Sequence, residues 1–198
     1  MAFQRLLTYT FVSLIKKVEV VLFLAIGLGM TGHAVMTPVL MVLILVTNDF
    51  LSMSLTTDRA TPAPSPSIWR MPRITAAAVL LAGCKLLFST AILAVGVFVL
   101  RLDTARVQTL AFIILAFGNQ AVLYAVRERR HMWASRPSLL VVASSAIDLG
   151  IVTVLALASI LMQALPWQLL LAALAATATF SLALDQVKLP VLAALKVR

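Results

Sequence analysis

Six apolar stretches, each about long enough to cross a bilayer, leave this chain few ways to fold. A transmembrane helix needs roughly 20 mostly apolar residues at 1.5 Å rise per residue. Such stretches run over Leu6–Met30, Thr37–Leu55, Ile74–Leu100, Val107–Val126, Leu139–Leu165 and Trp167–Leu184. Hydrophobic residues make up 62% of the 198-residue chain, well above the ~45–50% of soluble domains. No strand-like alternation of apolar and polar residues competes with these runs, which argues against a β-barrel. The expected architecture is all-α: one polytopic membrane bundle of six transmembrane helices spanning residues 1–198.

Charge fixes the expected orientation. Six spans place the N-terminus, the 56–73 loop, the 127–137 loop and the C-terminus on one side of the membrane. That side holds eleven of the sixteen basic residues, among them Arg59, Arg70, Arg73, Arg127, Arg136 and Lys188, whereas the opposite side holds only Arg101 and Arg106. Loops rich in Lys and Arg stay in the cytoplasm, so both termini are expected there, in a multi-pass protein of the plasma membrane. The net charge of +9 is thus topological, with attraction to anionic lipid as a secondary effect; the expected contact is the lipid bilayer, and no nucleic acid. Trp69, Trp133 and Trp167 fall at expected interfaces, where aromatic anchors belong. The single cysteine, Cys84, excludes an internal disulfide.

Polar residues inside the spans are the candidate functional groups, because ionisable side chains in a membrane are costly. The second span carries Asp49 with Thr47, Asn48, Ser52 and Ser54 close by. Ser52 stands at i+3 from Asp49 and i+4 from Asn48, a spacing that gathers oxygens on one side of a helix. A tunable carboxylate with neutral oxygens around it is what an ion or proton site requires. The other reading is that Asn48 or Asp49 caps a helix restarting after a break. Glu19 is the second candidate ligand, accompanied by Lys16 and Lys17 as relay or counter-ion groups, or as a structural pair at the interface. Three charges at the middle of the first span cost about +8 to +10 kcal/mol on an insertion scale, more than its ten apolar residues from Val20 to Gly29 return. That helix is therefore expected inside the bundle, with Lys16 and Glu19 able to pair at i+3.

In the fifth span Asp148 joins a relay or, by the preferred reading, pairs with Lys85 of the third span. Asn119 and Gln120 are either ligands or amides that tie helices together. His33 is expected to be exposed in an outer loop, and the Arg127–His131 run to be a solvated helix end. The sequence contains no P-loop, no G-x-S-x-G, no H-E-x-x-H and no Cys/His metal spacing, so no ATP-binding or hydrolytic chemistry is expected of the chain by itself.

Several segments together resemble the C-terminal membrane half of a P-type cation ATPase, closest to the plasma-membrane proton-pump subfamily. Ala2-Phe3-Gln4-Arg5 with Tyr9-Thr10 is similar to the stalk entering that family's fifth helix. Leu45-Val46-Thr47-Asn48-Asp49 is similar to the sixth helix, where the proton-binding acid follows a leucine-asparagine stretch. Asp58-Arg59, the spaced prolines Pro62, Pro64 and Pro66, and Trp69-Arg70 resemble the loop that follows, the most specific part of the likeness. Gln120, Arg127–Arg130 and Arg136-Pro137 resemble the end of the eighth helix and the start of the ninth.

The resemblance implies that Asp49 takes up and releases the ion while phosphorylation elsewhere switches the helices between inward-open and outward-open states. It also implies a partner: the N-terminal half or catalytic part of such an ATPase, carrying the D-K-T-G motif, on whose cytoplasmic domains ATP and Mg²⁺ act. No cofactor is expected in the 198 residues, and no ATPase activity of the chain alone. Proton is the expected ion. Glu19 stands about where the proton pumps carry an arginine, and Phe50 where they carry a glycine, which keeps Mg²⁺ or another divalent cation as the alternative. Outside transport, the alternative reading is a non-catalytic membrane interaction or regulatory protein, or a truncated remnant.

Overall fold

The computed structural model describes residues 2–55, 71–128 and 131–194. The proline-spaced loop, including Asp58, Arg59, Trp69 and Arg70, lies outside the described residues, as do Arg129 and Arg130. Six α-helices form: α1 Ala2–Thr31, α2 Pro38–Ser54, α3 Met71–Ala94, α4 Thr104–Arg127, α5 Leu139–Leu157 and α6 Trp167–Ala194. There is no strand among the described residues. The chain is an all-helical, multi-pass membrane protein.

Local chemistry sets the helix ends. Thr31 donates its hydroxyl back to the Gly27 carbonyl at 2.8 Å, and Gly32 follows with φ of +74°, the left-handed conformation that stops a helix most cheaply at glycine. Thr37 caps α2 by accepting from the Leu40 N–H, and Pro38 opens it, where a missing N–H does no harm. Ser138 caps α5 in the same manner through the Val141 N–H. A π-helical turn, Val95–Val99, ends α3. There Gly96 lets Leu110 of α4 approach so closely that a Cβ would stand 2.5 Å from its Cδ2.

Among the described residues four helices are long and apolar enough to cross a membrane: Pro72–Val99, Thr104–Arg127, Leu139–Leu157 and Trp167–Ala194. With its 17 residues, α2 is shorter than a usual span. The 30-residue α1 carries Lys16, Lys17 and Glu19 in its middle and is not among the four. The fifth apolar stretch, expected to reach Leu165, is helical only to Leu157, and the chain turns through Ser159 and Leu161 with positive φ before Pro166.

At the axis of the bundle stands α4. Its most apolar stretch is 94% buried, against 33% or less for the other three membrane-length helices. Those three turn most of their surface outward, as lipid-facing helices do. Around α4, α1 packs chiefly along α3, α6 along α4, and α5 against α2 and α4. Two apolar cores result. One gathers Phe23, Leu40, Ile44, Leu93, Phe112, Phe117 and Val152; the other gathers Phe11, Ile15, Leu51, Leu81, Val122, Val141 and Leu184.

Candidate functional site

Between the two apolar cores every helix carries buried polar groups at the same level: Lys16 and Glu19 on α1, Thr47 on α2, Lys85 and Ser89 on α3, Asn119 and Gln120 on α4, Ser145 and Asp148 on α5, and Thr177 and Ser181 on α6. On each helix the flanking buried residues on either side are apolar. The chain therefore holds a polar layer across its bundle, built at a depth where unpaired groups are expensive.

At its centre Glu19 and Lys85 form an ion pair with both side chains fully buried. Ser89 donates to the other Glu19 oxygen at 2.8 Å, and Lys85 also donates to Asn119 Oδ1. Asn119 in turn donates from Nδ2 to Asn48 Oδ1 at 2.9 Å. Four helices are joined by this one chain of bonds. Gly118 makes room for it, since a Cβ there would lie 2.8 Å from Lys85 Cε. Charges taken out of water hold together only when their remaining hydrogen-bonding positions are also met; here both Glu19 oxygens accept a bond, and Lys85 donates to Glu19 and to Asn119. Beside this centre, Lys16 donates to Ser52 at 3.2 Å, Gln120 donates to Asp148 Oδ2, and Tyr124 donates to Ser145 at 3.0 Å.

Two expected pairings are corrected. Lys16 does not pair with Glu19: it bonds Ser52 on α2, while Glu19 bonds Lys85 and Ser89 on α3. Lys85 does not pair with Asp148, because α3 lies along α1, whereas α5 packs on α2 and α4. The carboxylate beside Lys85 is therefore the one on α1. Asn119 and Gln120 both bond across helices, as intramembrane amides do.

The second-span cluster also divides. Asn48 and Ser52, one helical turn apart, face inward to Asn119 and Lys16, and Thr47 is buried, its hydroxyl donating to the Ile44 carbonyl. Asp49 is exposed, on the same outer face as Val46, Phe50 and Met53. It remains close enough to Lys16 for the two charges to act on each other. A step of 100° per residue separates Asp49 from Asn48, so the oxygens do not form one shell. Lys17 is exposed and joins no part of the layer.

A second ionic cluster closes one end of the bundle, and sequence reading missed it. Asp185 on α6 accepts from the Met132 N–H at 2.9 Å and meets His131 Nδ1 at 3.0 Å. Lys188 donates to Asp185, to the Ala125 carbonyl at 2.6 Å and to the Glu128 carbonyl at 2.8 Å. It thereby satisfies carbonyls that the end of α4 leaves without helical partners. Lys188, expected to be one of the loop-side charges, is fully buried. The signal was present as an Asp–Lys pair at i,i+3 just beyond the last apolar stretch. Ser89 was missed as well, since one serine in an apolar run carries no message until Glu19 lies beside it. At the other end His33 is exposed as expected and shares a 2.9 Å hydrogen bond with Thr104. Among the described residues no three His, Cys, Asp or Glu side chains gather as a metal site.

The fold and its polar layer define an integral membrane protein whose interior carries charge. No protein-family model matches the chain. It is 24% identical over 196 residues to the protein named "Putative cation-transporting ATPase MJ1226" of Methanocaldococcus jannaschii, a likeness that covers 98% of this chain and 24% of that protein. The chain thus spans about a quarter of that protein's length.

Proposed function

We propose that this chain is a membrane cation-transport module that works with an ATP-hydrolysing part carried elsewhere, in the manner of the C-terminal membrane half of a P-type cation ATPase. The observation that carries the reading is the likeness to a cation-transporting ATPase along nearly the whole chain. The layer of ionisable groups inside the bundle supports it, since soluble-protein logic gives such groups no reason to be there.

In this reading the ion is a proton, with Mg²⁺ or another divalent cation as the alternative, and Asp49 is the acid that loads and releases it. Its outward position on α2, among Val46, Phe50 and Met53, leaves that face for a further membrane segment of the assembled pump. The Glu19–Lys85 pair, which carries no net charge, is then a fixed structural tie within the polar layer beside the ion site. ATP and Mg²⁺ belong to the partner carrying D-K-T-G.

Affinity purification of the native chain from mild detergent tests the partnership: the reading expects a companion that forms an acid-stable phosphoenzyme with ATP. In the assembled pump Asp49→Asn abolishes ion transport while the chain still inserts and folds. Normal transport by that variant would refute the role of Asp49, and a chain that always purifies alone would favour a regulatory or remnant protein.

A further inference from the structure

The three connections on the side opposite the basic loops differ in chemistry. The turn after α1 carries His33, and the stretch that leads into α4 carries Arg101, Asp103 and Arg106. Between α5 and α6 there is no charge: from Leu149 through Leu184 the sequence holds no acidic, basic or histidine residue. Turns in water favour Gly, Pro, Asn, Asp and Ser, yet residues 158–166 supply only Ser159 and Pro166 of that set.

The backbone of this turn is strained and tied to its own helix ends. Ser159 and Leu161 take left-handed φ of 57° and 64°, which a side chain with a Cβ resists. A Schellman turn closes α5: the Ile160 N–H reaches back to the Leu155 carbonyl at 3.3 Å, and the Ala158 N–H to Val154 at 2.9 Å. Thr109 of α4 donates to the Gln163 carbonyl at 2.8 Å, and Leu165 is buried in the apolar core. Strain persists where such contacts over-determine it. Its result is that Leu157, Ile160, Leu161 and Trp167 stand outward, at 46%, 47%, 61% and 61% exposure. They continue the outward apolar surface of Val154 on α5 and Leu171 on α6.

Depth sets the turn apart as well. Thr109 stands five residues inside the start of α4 at Thr104, about 7.5 Å along the helix axis. The Gln163 carbonyl that it holds therefore lies deeper in the bundle than the charged end of α4, where Asp103 and Arg106 are exposed.

We propose that the α5–α6 turn, residues 157–167, is seated in the lipid leaflet opposite the basic loops and not in water. Leu157, Ile160 and Leu161 enter among the acyl chains at the headgroup boundary, and Trp167 marks the headgroup level. The partner is the bilayer itself, which takes apolar side chains and an indole at that depth and tolerates non-helical backbone only near its edge or where polar groups are met. The inference rests on this turn alone and does not depend on the transport reading.

Spin labelling of the full chain in phosphatidylcholine vesicles tests it, with Cys84→Ala removing the native thiol. Leu161→Cys carries the nitroxide, and His33→Cys carries it as the aqueous reference on the same side. At position 161, collisions with dissolved oxygen, which concentrates in lipid, are expected to exceed those with a water-soluble nickel chelate several-fold; at position 33 the order reverses. A label at 161 relaxed mainly by the chelate places the turn in water and overturns the proposal. A label that neither reagent reaches means that protein, a second copy or another chain, covers the turn, which overturns it equally. Leu161→Asn gives a second reading without a label. Asn takes the left-handed conformation more readily than Leu, so a turn in water is stabilised by the change. A turn in lipid instead loses an apolar contact and gains a polar group there. The Tm in the same vesicles is expected to fall by several degrees, and a level or higher Tm overturns the proposal.

Discussion

Removing Lys85 tests the reasoning about the polar layer most directly. The Lys85→Met side chain keeps the length and apolar stem but leaves Glu19 fully buried with Ser89 as its partner. Stranding one member of a buried ion pair costs about 3–5 kcal/mol, and the lost bond to Asn119 adds about 1 kcal/mol. In detergent the unfolded chain keeps helices and finds some polar partners of its own, which places the expected loss at the lower end, about 3 kcal/mol. For a chain of this size one kcal/mol moves Tm by roughly 2–4 °C, so Lys85→Met falls by about 6–12 °C. The double variant Glu19→Gln with Lys85→Met carries no stranded charge and recovers most of that loss. Thermal unfolding of the purified chain, read by circular dichroism or by a thiol dye on Cys84, measures all three proteins. A single variant within about 1 kcal/mol of wild type, or a double variant no better than the single, would refute the account of Glu19 and Lys85 as mutually dependent buried charges.

Gly118→Ala gains helix propensity of about 1 kcal/mol but drives a methyl group to 2.8 Å from Lys85 Cε. Overpacking of about 1–3 kcal/mol wins, so Tm falls, whereas Gly83→Ala, with nothing within 4 Å of its Cβ, leaves it level or higher. Asp185→Ala frees the Met132 N–H and takes a carboxylate from Lys188. The expected cost is about 1–3 kcal/mol, with faster protease cleavage within residues 131–137. Asp185→Asn, which still accepts from Met132, is milder in both measurements.

Legibility differed sharply between scales. Membrane-length apolar runs announce helices because backbone groups in hydrocarbon must bond within their own segment, so all six helices were visible as stretches of sequence. Intramembrane charges were visible for the same reason: Glu19, Lys85 and Asp148 stand out against apolar neighbours. Their pairing was not. The Lys85–Asp148 expectation rested on similar depth, and depth is a coordinate along a helix that says nothing of which helix lies next to it.

By itself, the sequence determined what each helix contains and at what level it carries its polar groups, because composition and spacing along one chain are local properties. Only the tertiary structure decided that α4 is the buried axis, that Glu19 turns to Lys85 while Lys16 turns to Ser52, and that Asp49 faces outward as Asn48 faces in. One residue of rotation, 100° on a helix, separates a side chain in the polar layer from one outside it, and that angle is fixed by how helices pack together.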